Sequence, residues 1–396
     1  MDSLINAAAQ ALAAGDPIGA LKRVALRDDA PALALRGIAM AQLGDLPRAK
    51  VLLKRARHAF SPREAVARAR CLVAEAEIAL VSRDLTWSTK SLAVARATLE
   101  THGDAVNAAH ARYLEIRRLL LIGRIDDAEH ALGEMNPASL TLMSRTVHEL
   151  VGFGIAVRRL DTRSARGALE RARRAVRDTG IPALEAEVDS ASVVLSSPAA
   201  RLIARGAERP LLLEDVEALL ASKTLVVDAC RHVVRRGTDV VPLATRPVLF
   251  ALARALGEAW PGDVPRDVLI ARAFGSKFTD ESHRARLRVE VGRLRAKLRA
   301  IADVSATPRG FVLRPRAKID VVVLARPVEE QHASVLAFLY DGESWSTSAL
   351  ALALGISQRT VQRALDSLAA AGKVQAFGRG RARRWMTPPV PGFTTT

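Results

Sequence analysis

Apolar and polar positions follow two different rhythms along this chain of 396 residues. Up to about residue 200, apolar side chains return every three or four positions, the period of amphipathic helices. Five segments begin alike: "GDPIGAL" at 15, "GDLPRAKVLL" at 44, "RDLTWSTKSL" at 83, "GRIDDAEHAL" at 123 and "LDTRSARGAL" at 160. Each starts with a turn position and places a small residue five positions on: Ala20, Ala49, Ser88, Ala128 and Ala165. In three of them a second small residue, Ala56, Ala95 or Ala172, follows seven later, which keeps both on the helix face where a neighbour can approach closely. The units lie 29, 39, 40 and 37 residues apart, a spacing that predicts stacked helix pairs.

This segment, roughly residues 1–200, resembles tetratricopeptide repeats, whose Gly-Asp turn and following Ala sit at the same spacing. The pitch here varies, and the aromatic positions of that family are mostly aliphatic. The resemblance implies a TPR-like α-solenoid with a concave surface. Such a surface would serve a protein, peptide or small-molecule effector, or a homodimer.

Around Pro198 and Pro210 the helical rhythm breaks, and "LLLEDVEALLAS" predicts a connecting helix within a linker over 201–221. "TLVVDACRHVVRRGTDVVPL" then alternates loosely around Arg236-Gly237 and Thr238-Asp239, as in a small antiparallel sheet. Helical spacing returns from Arg246 to Ala259, again over "PRDVLIARAFG", and a third time from about Ser282 to Ile301. "VSATPRGFVLRP" closes the segment as strand, turn and strand, with Arg309 at the tip.

The third helix carries the most informative pattern. Leu287, Val291, Leu294 and Leu298 form one apolar stripe. Arg284, Arg288, Arg295 and Arg299 line one flank, and Arg286, Arg293 and Lys297 line the other. Opposite the stripe lie Ala285, Val289, Gly292 and Ala296. A solvated face would mix in carboxylates, yet only Glu290 interrupts this one. A back of small residues between two cationic rails suits a nucleic-acid groove, its floor meeting the back and its phosphates the rails.

With "LVVD", "LATRPVLFALARAL", "RLRVEVGRLRAKL" and "TPRGFVL", residues 222–316 resemble the OmpR/PhoB-type winged-helix domain. The resemblance implies a third helix in the major groove and a wing in the adjacent minor groove. It makes Arg293 and Arg295 recognition-helix cations, Arg309 the wing arginine and Val289 a contact for thymine methyl groups. Glu290 departs from that pattern, and the wing lacks the family's Gly-Tyr ending. The preceding repeats show none of the α/β alternation of a phosphorylatable receiver domain, so aspartyl-phosphate control is not expected.

A second reading module is expected over 328–388. In "SALALALGISQRTVQRALDSLAAAG", Ala351, Gly355 and Val361 stand at helix-turn-helix spacing: a small residue where helices cross, a glycine in the turn and a branched plug in the corner. Leu350, Leu354, Ile356, Val361, Leu365 and Leu368 are the expected core. Ser357, Gln358, Arg359, Thr360, Gln362 and Arg363 are then left to meet base edges. "KVQAFGRGRARRW" predicts a β-wing whose Arg379, Arg381, Arg383 and Arg384 contact phosphates, and this segment resembles the general bacterial winged helix. Residues 389–396 are expected to be a disordered tail.

Charge sharpens this division. The net formal charge is +17; residues 1–222 hold 31 basic and 27 acidic side chains, whereas residues 223–396 hold 28 and 15. The positive field therefore belongs to the C-terminal half, and nucleic acid heads the list of acidic partners. Two distant cysteines, Cys71 and Cys230, suggest neither a disulfide framework nor a thiolate metal site. No phosphate-binding G-x-x-x-x-G-K-[ST] loop occurs, and Gly152-Phe-Gly154 lacks the context of a dinucleotide site, so neither enzymatic activity nor a cofactor is expected. The N-terminus resembles no signal segment, which makes the cytoplasm the expected compartment and a membrane partner unexpected. The expected architecture is mainly α: a TPR-like α-solenoid followed by two winged-helix (α+β) domains. The expected function is a bacterial, sequence-specific, double-stranded-DNA-binding transcriptional regulator. A replication or partition initiator with tandem winged helices, or a repeat-based adaptor for RNA or an acidic protein, are the alternatives.

Overall fold

The computed structural model describes residues 2–85, 87–136, 141–275, 280–327, 332–339, 343–378, 380 and 383–387. It is mainly helical with a smaller mixed β region, and it contains two compact units. One comprises the described residues within 1–159, 163–191 and 330–396; the other comprises 160–162 and those within 192–329.

Among the described residues eleven helices come first: α1 (Ser3–Ala13), α2 (Pro17–Val24), α3 (Ala30–Gln42), α4 (Leu46–Ala59), α5 (Ala65–Val81), α6 (Thr89–Thr101), α7 (Ala105–Leu121), α8 (Ile125–Gly133), α9 (Leu142–Arg159), α10 (Thr162–Arg177) and α11 (Pro182–Ser196). The turn positions at 15, 44, 83, 123 and 160 all adopt left-handed backbone, with φ of 74°, 83°, 49°, 75° and 59°. That conformation closes a helix by letting the next residue's N–H reach back to a free carbonyl. Asp16 donates to the Ala11 carbonyl at 2.8 Å, Asp45 to Met40 at 2.9 Å, Asp84 to Ala79 at 2.8 Å and Arg124 to Leu119 at 2.9 Å. In Asp16 and Asp45 the carboxylate then caps the next helix, accepting from Gly19 N at 2.7 Å and Arg48 N at 3.1 Å. The Gly-Asp pair thus ends one helix and starts another.

Ala20, Ala49, Ala128 and Ala165 are fully buried where helices cross, as are Ala56 and Ala172. Ser88 departs from the expected pattern. It is exposed and caps α6, accepting from Ser91 N, while Leu92 takes the buried place.

The second unit contains β1 (Ala200–Ala204), β2 (Ala207–Leu211), α12 (Leu213–Ala221), β3 (Leu225–Asp228), β4 (Val233–Arg236), β5 (Asp239–Pro242), α13 (Pro247–Ala259), β6 (Val264–Pro265), α14 (Arg266–Phe274), α15 (Glu281–Leu298), β7 (Ala302–Ala306), β8 (Gly310–Pro315) and β9 (Val321–Ala325). Its larger sheet has the order β2-β1-β9-β3-β4-β5 and is antiparallel except for β9 beside β3. The β3–β5 meander agrees with the expected small sheet, and Gly237 (φ 56°) turns β4 into β5. Strands β1, β2 and β9 were not expected, and they widen the sheet with residues on both sides of 222–316.

A smaller sheet, β6-β8-β7, carries the hairpin that α15 packs against. One core joins Val227, Leu252, Leu256, Leu269, Leu287, Val291, Leu294, Leu298 and Leu313. Gly257 fits because a side chain there would stand 3.0 Å from Val227 and 3.1 Å from Val323.

The chain then returns to the first unit through α16 (Ala333–Leu339), α17 (Thr347–Leu354), α18 (Gln358–Ala370), β10 (Gln375–Phe377) and β11 (Arg384–Met386). Trp345 and Trp385 exchange backbone hydrogen bonds at 2.8 Å in both directions and are almost fully buried. Leu350, Val361, Leu365 and Leu368 complete this core, which is continuous with residues of α5–α7, including Leu80, Leu99 and Leu114. Ile356 is not core: it lies in the turn after Gly355 (φ 64°) and is 40 % exposed. Leu354 is only partly buried. No described helix is long and apolar enough to cross a membrane.

Candidate nucleic-acid interface

Helix α15 starts at Asp280, whose carboxylate accepts from His283 N at 2.9 Å, Ser282 Oγ at 2.7 Å and His283 Nδ1 at 2.6 Å. These hydrogen bonds hold its pKa well below the usual carboxylate range. The predicted stripe is the buried one, since Leu287, Val291, Leu294 and Leu298 expose 2 % or less. On the opposite side Ala285, Gly292 and Ala296 are exposed, and Val289 is 53 % exposed. A side chain added at Gly292 would meet nothing within 4 Å.

The two flanks are cationic, but their cations are not equally free. Arg284 donates to Glu281 at 3.0 Å, and Arg288 lies 3.5 Å from the same carboxylate. Arg286 stacks on the Phe274 ring, 4.4 Å from its centroid. Arg293 donates to Glu290 at 2.7 Å while its side chain stays 59 % exposed. Arg295 points elsewhere: its Nε donates to the Val304 carbonyl of β7 at 3.0 Å and lies 3.3 Å from Asp303. Among the described residues Lys297 and Arg299 have no hydrogen-bond or ion-pair partner, and both are exposed.

The hairpin brings Arg309 to the same side. Thr307 N donates to Gly310 O at 3.0 Å, closing a turn with Pro308 and Arg309 at its centre. Gly310 is required there, because a Cβ would stand 1.8 Å from the Val264 carbonyl oxygen. The exposed Arg309 joins Arg284, Arg288 and Arg266 around a cavity of about 450 Å³, in which the acidic groups are Asp267 and Glu281. Sequence reasoning missed Arg266 and Glu281. The Pro265-Arg266 helix start was visible, but its approach to residues 307–309 exists only through the pairing of β6 with β8.

In α18 the N-terminal turn is outward. Ser357 caps it, accepting from Thr360 N at 3.2 Å and sharing a 2.8 Å hydrogen bond with the Thr360 hydroxyl. Gln358, Arg359 and Arg363 are exposed and, among the described residues, have no hydrogen-bond or ion-pair partner. Gln362 is held within the fold, donating to Asp366 at 2.8 Å and accepting from Thr347 at 3.2 Å. Gly378 and Gly380, near the end of β10, adopt φ of 75° and 56°. Arg383 stacks 4.3 Å from the Trp385 ring centroid. The expected contacts Arg379 and Arg381 lie outside the described residues, as does the 389–396 segment.

The chain matches no protein-family model, and comparisons with curated proteins and with solved structures give no match. Among the described residues no group of three or more His, Cys, Asp or Glu is placed to hold a metal.

Proposed function

We propose that this protein is a DNA-binding transcriptional regulator. In this reading the α1–α11 helices form a TPR-like array for effector input or assembly, and residues 222–316 and 328–388 act as winged helices that read duplex DNA. The outward face of α15 carries the proposal: small exposed residues, bordered by cations, with the apolar stripe turned entirely inward. Such a face can approach a groove floor while its flanks neutralise phosphates. The order α13, α14, α15 and hairpin supports the OmpR/PhoB-type assignment of the first module. In the second, α16–α18 followed by β10 and β11 supports the general winged-helix assignment.

Gel-shift titrations with duplex DNA, single-stranded DNA and structured RNA test the reading. Duplex DNA is expected to bind most tightly, with an affinity that falls steeply as salt rises. Equal or stronger binding to structured RNA would instead favour an adaptor role. Mapping bound genomic sites separates promoter-centred regulation from repeated sites at a replication origin.

A further inference from the structure

The cavity between the start of α14, the first half of α15 and the β7–β8 turn has a charge arrangement of its own. Four guanidinium groups, from Arg266, Arg284, Arg288 and Arg309, face two carboxylates, from Asp267 and Glu281. Planar guanidinium forks match the oxygens of a phosphate, and groups on three elements can surround one from several sides.

These arginines are not equivalent. Arg266 donates to the Pro308 carbonyl at 2.9 Å and the Thr307 carbonyl at 3.0 Å, and stacks over Phe311. It is thereby committed to holding the turn that presents Arg309. Arg309 itself is exposed and, among the described residues, has no hydrogen-bond or ion-pair partner. Arg284 and Arg288 share the Glu281 carboxylate, which is 74 % exposed. Ion pairs this open to water are weak, so a better-placed anion can displace the carboxylate.

We propose that this cavity seats a phosphate group. Arg309, Arg284 and Arg288 grip it, Arg266 is the positioning residue for the turn, and Glu281 is a built-in competitor that weakens the grip. The proposal rests on the duplex reading only for the phosphate's source, which is either a nucleic-acid strand or a free phosphorylated molecule.

Two variants of the full chain move the binding in opposite directions, which a purely structural role would not do. Arg309→Ala is expected to weaken binding to every duplex by a similar factor and to flatten the dependence of log K on log salt by about one unit. Glu281→Gln is expected to tighten binding to every duplex about 2- to 5-fold, in line with release of an exposed ion pair. Thermal melts of both variants control for folding. If wild type binds duplex but either variant binds it just as wild type does, the seat is overturned while the duplex reading stands. If wild type binds no duplex, phosphorus NMR with inorganic phosphate decides: line broadening that Arg309→Ala abolishes supports a seat for free phosphate, and unchanged lines overturn it.

Discussion

On α15 the residues opposite the buried stripe are small, and six cations lie along the flanks; α18 instead exposes serine, threonine and glutamine at its first turn, with arginine only at 359 and 363. Both helices bury their apolar side fully, so the difference lies in what each offers outward. Closely spaced charge gives a long-range, salt-sensitive attraction, whereas short polar side chains act only on contact and discriminate between hydrogen-bonding edges. On this account α15 and its hairpin supply much of the affinity, and α18 supplies contacts that depend on sequence.

The largest expected effects test whether the two helices share the same kind of inward support. Leu294→Ala in α15 and Leu365→Ala in α18 each empty a site of zero exposure, so each should cost about 2–5 kcal/mol. Urea denaturation followed by circular dichroism measures this. A cost below about 1 kcal/mol for either would remove that helix's stripe from the core.

A smaller effect separates two neighbouring arginines on α15. Arg293 is tied only to Glu290 and remains mostly exposed, so Arg293→Ala should cost about 1–3 kcal/mol of binding at one base position. Arg295 already donates to Val304 O, so Arg295→Ala should lower stability by about 1 kcal/mol and leave sequence preference unchanged. Binding to a panel of single-base operator variants, alongside melting curves, tests both halves. A change of preference with Arg295→Ala would show that its guanidinium leaves β7 on binding.

The smallest effect concerns the scaffold beneath α15. Burial alone would raise the pKa of Glu258 on α13, but hydrogen bonds from Arg272 and Arg254 outweigh it and hold the carboxyl below its ordinary value. A carboxylate whose pKa is lowered by folding stabilises the fold above its unfolded value of about 4.3 and loses that contribution as pH falls through the folded value. Glu258→Gln should therefore be less stable than wild type at neutral pH, with the difference shrinking below about pH 4. A difference that persists undiminished in acid would assign the effect to packing.

Much of the helical array was legible because left-handed turn positions and buried alanines leave marks in sequence. The turns at 15, 44, 83, 123 and 160 were all located this way, even where Arg83 and Leu160 replace glycine. The stripe and exposed back of α15 were equally legible, since both follow from helical period alone. The wider sheet was not. Strand β1 pairs with β9 across more than a hundred residues, for example Arg201 with Ala325, and no local pattern announces such a partner. Strand β9 is buried throughout and so shows no alternation. The engagement of Arg295 with β7 was hidden for the same reason, because it depends on where a different element folds back. Ile356 looked like core by composition, but its place in a turn leaves it partly in solvent.

Gly292→Glu tests the central claim most directly. The site has open space around it, and replacing a mid-helix glycine should keep or raise stability. A carboxylate in the middle of the proposed groove-facing surface should nonetheless weaken duplex binding by more than about 2 kcal/mol, roughly 30-fold, through repulsion and steric block. A folded Gly292→Glu protein that binds duplex DNA as tightly as wild type would contradict the assignment of this face.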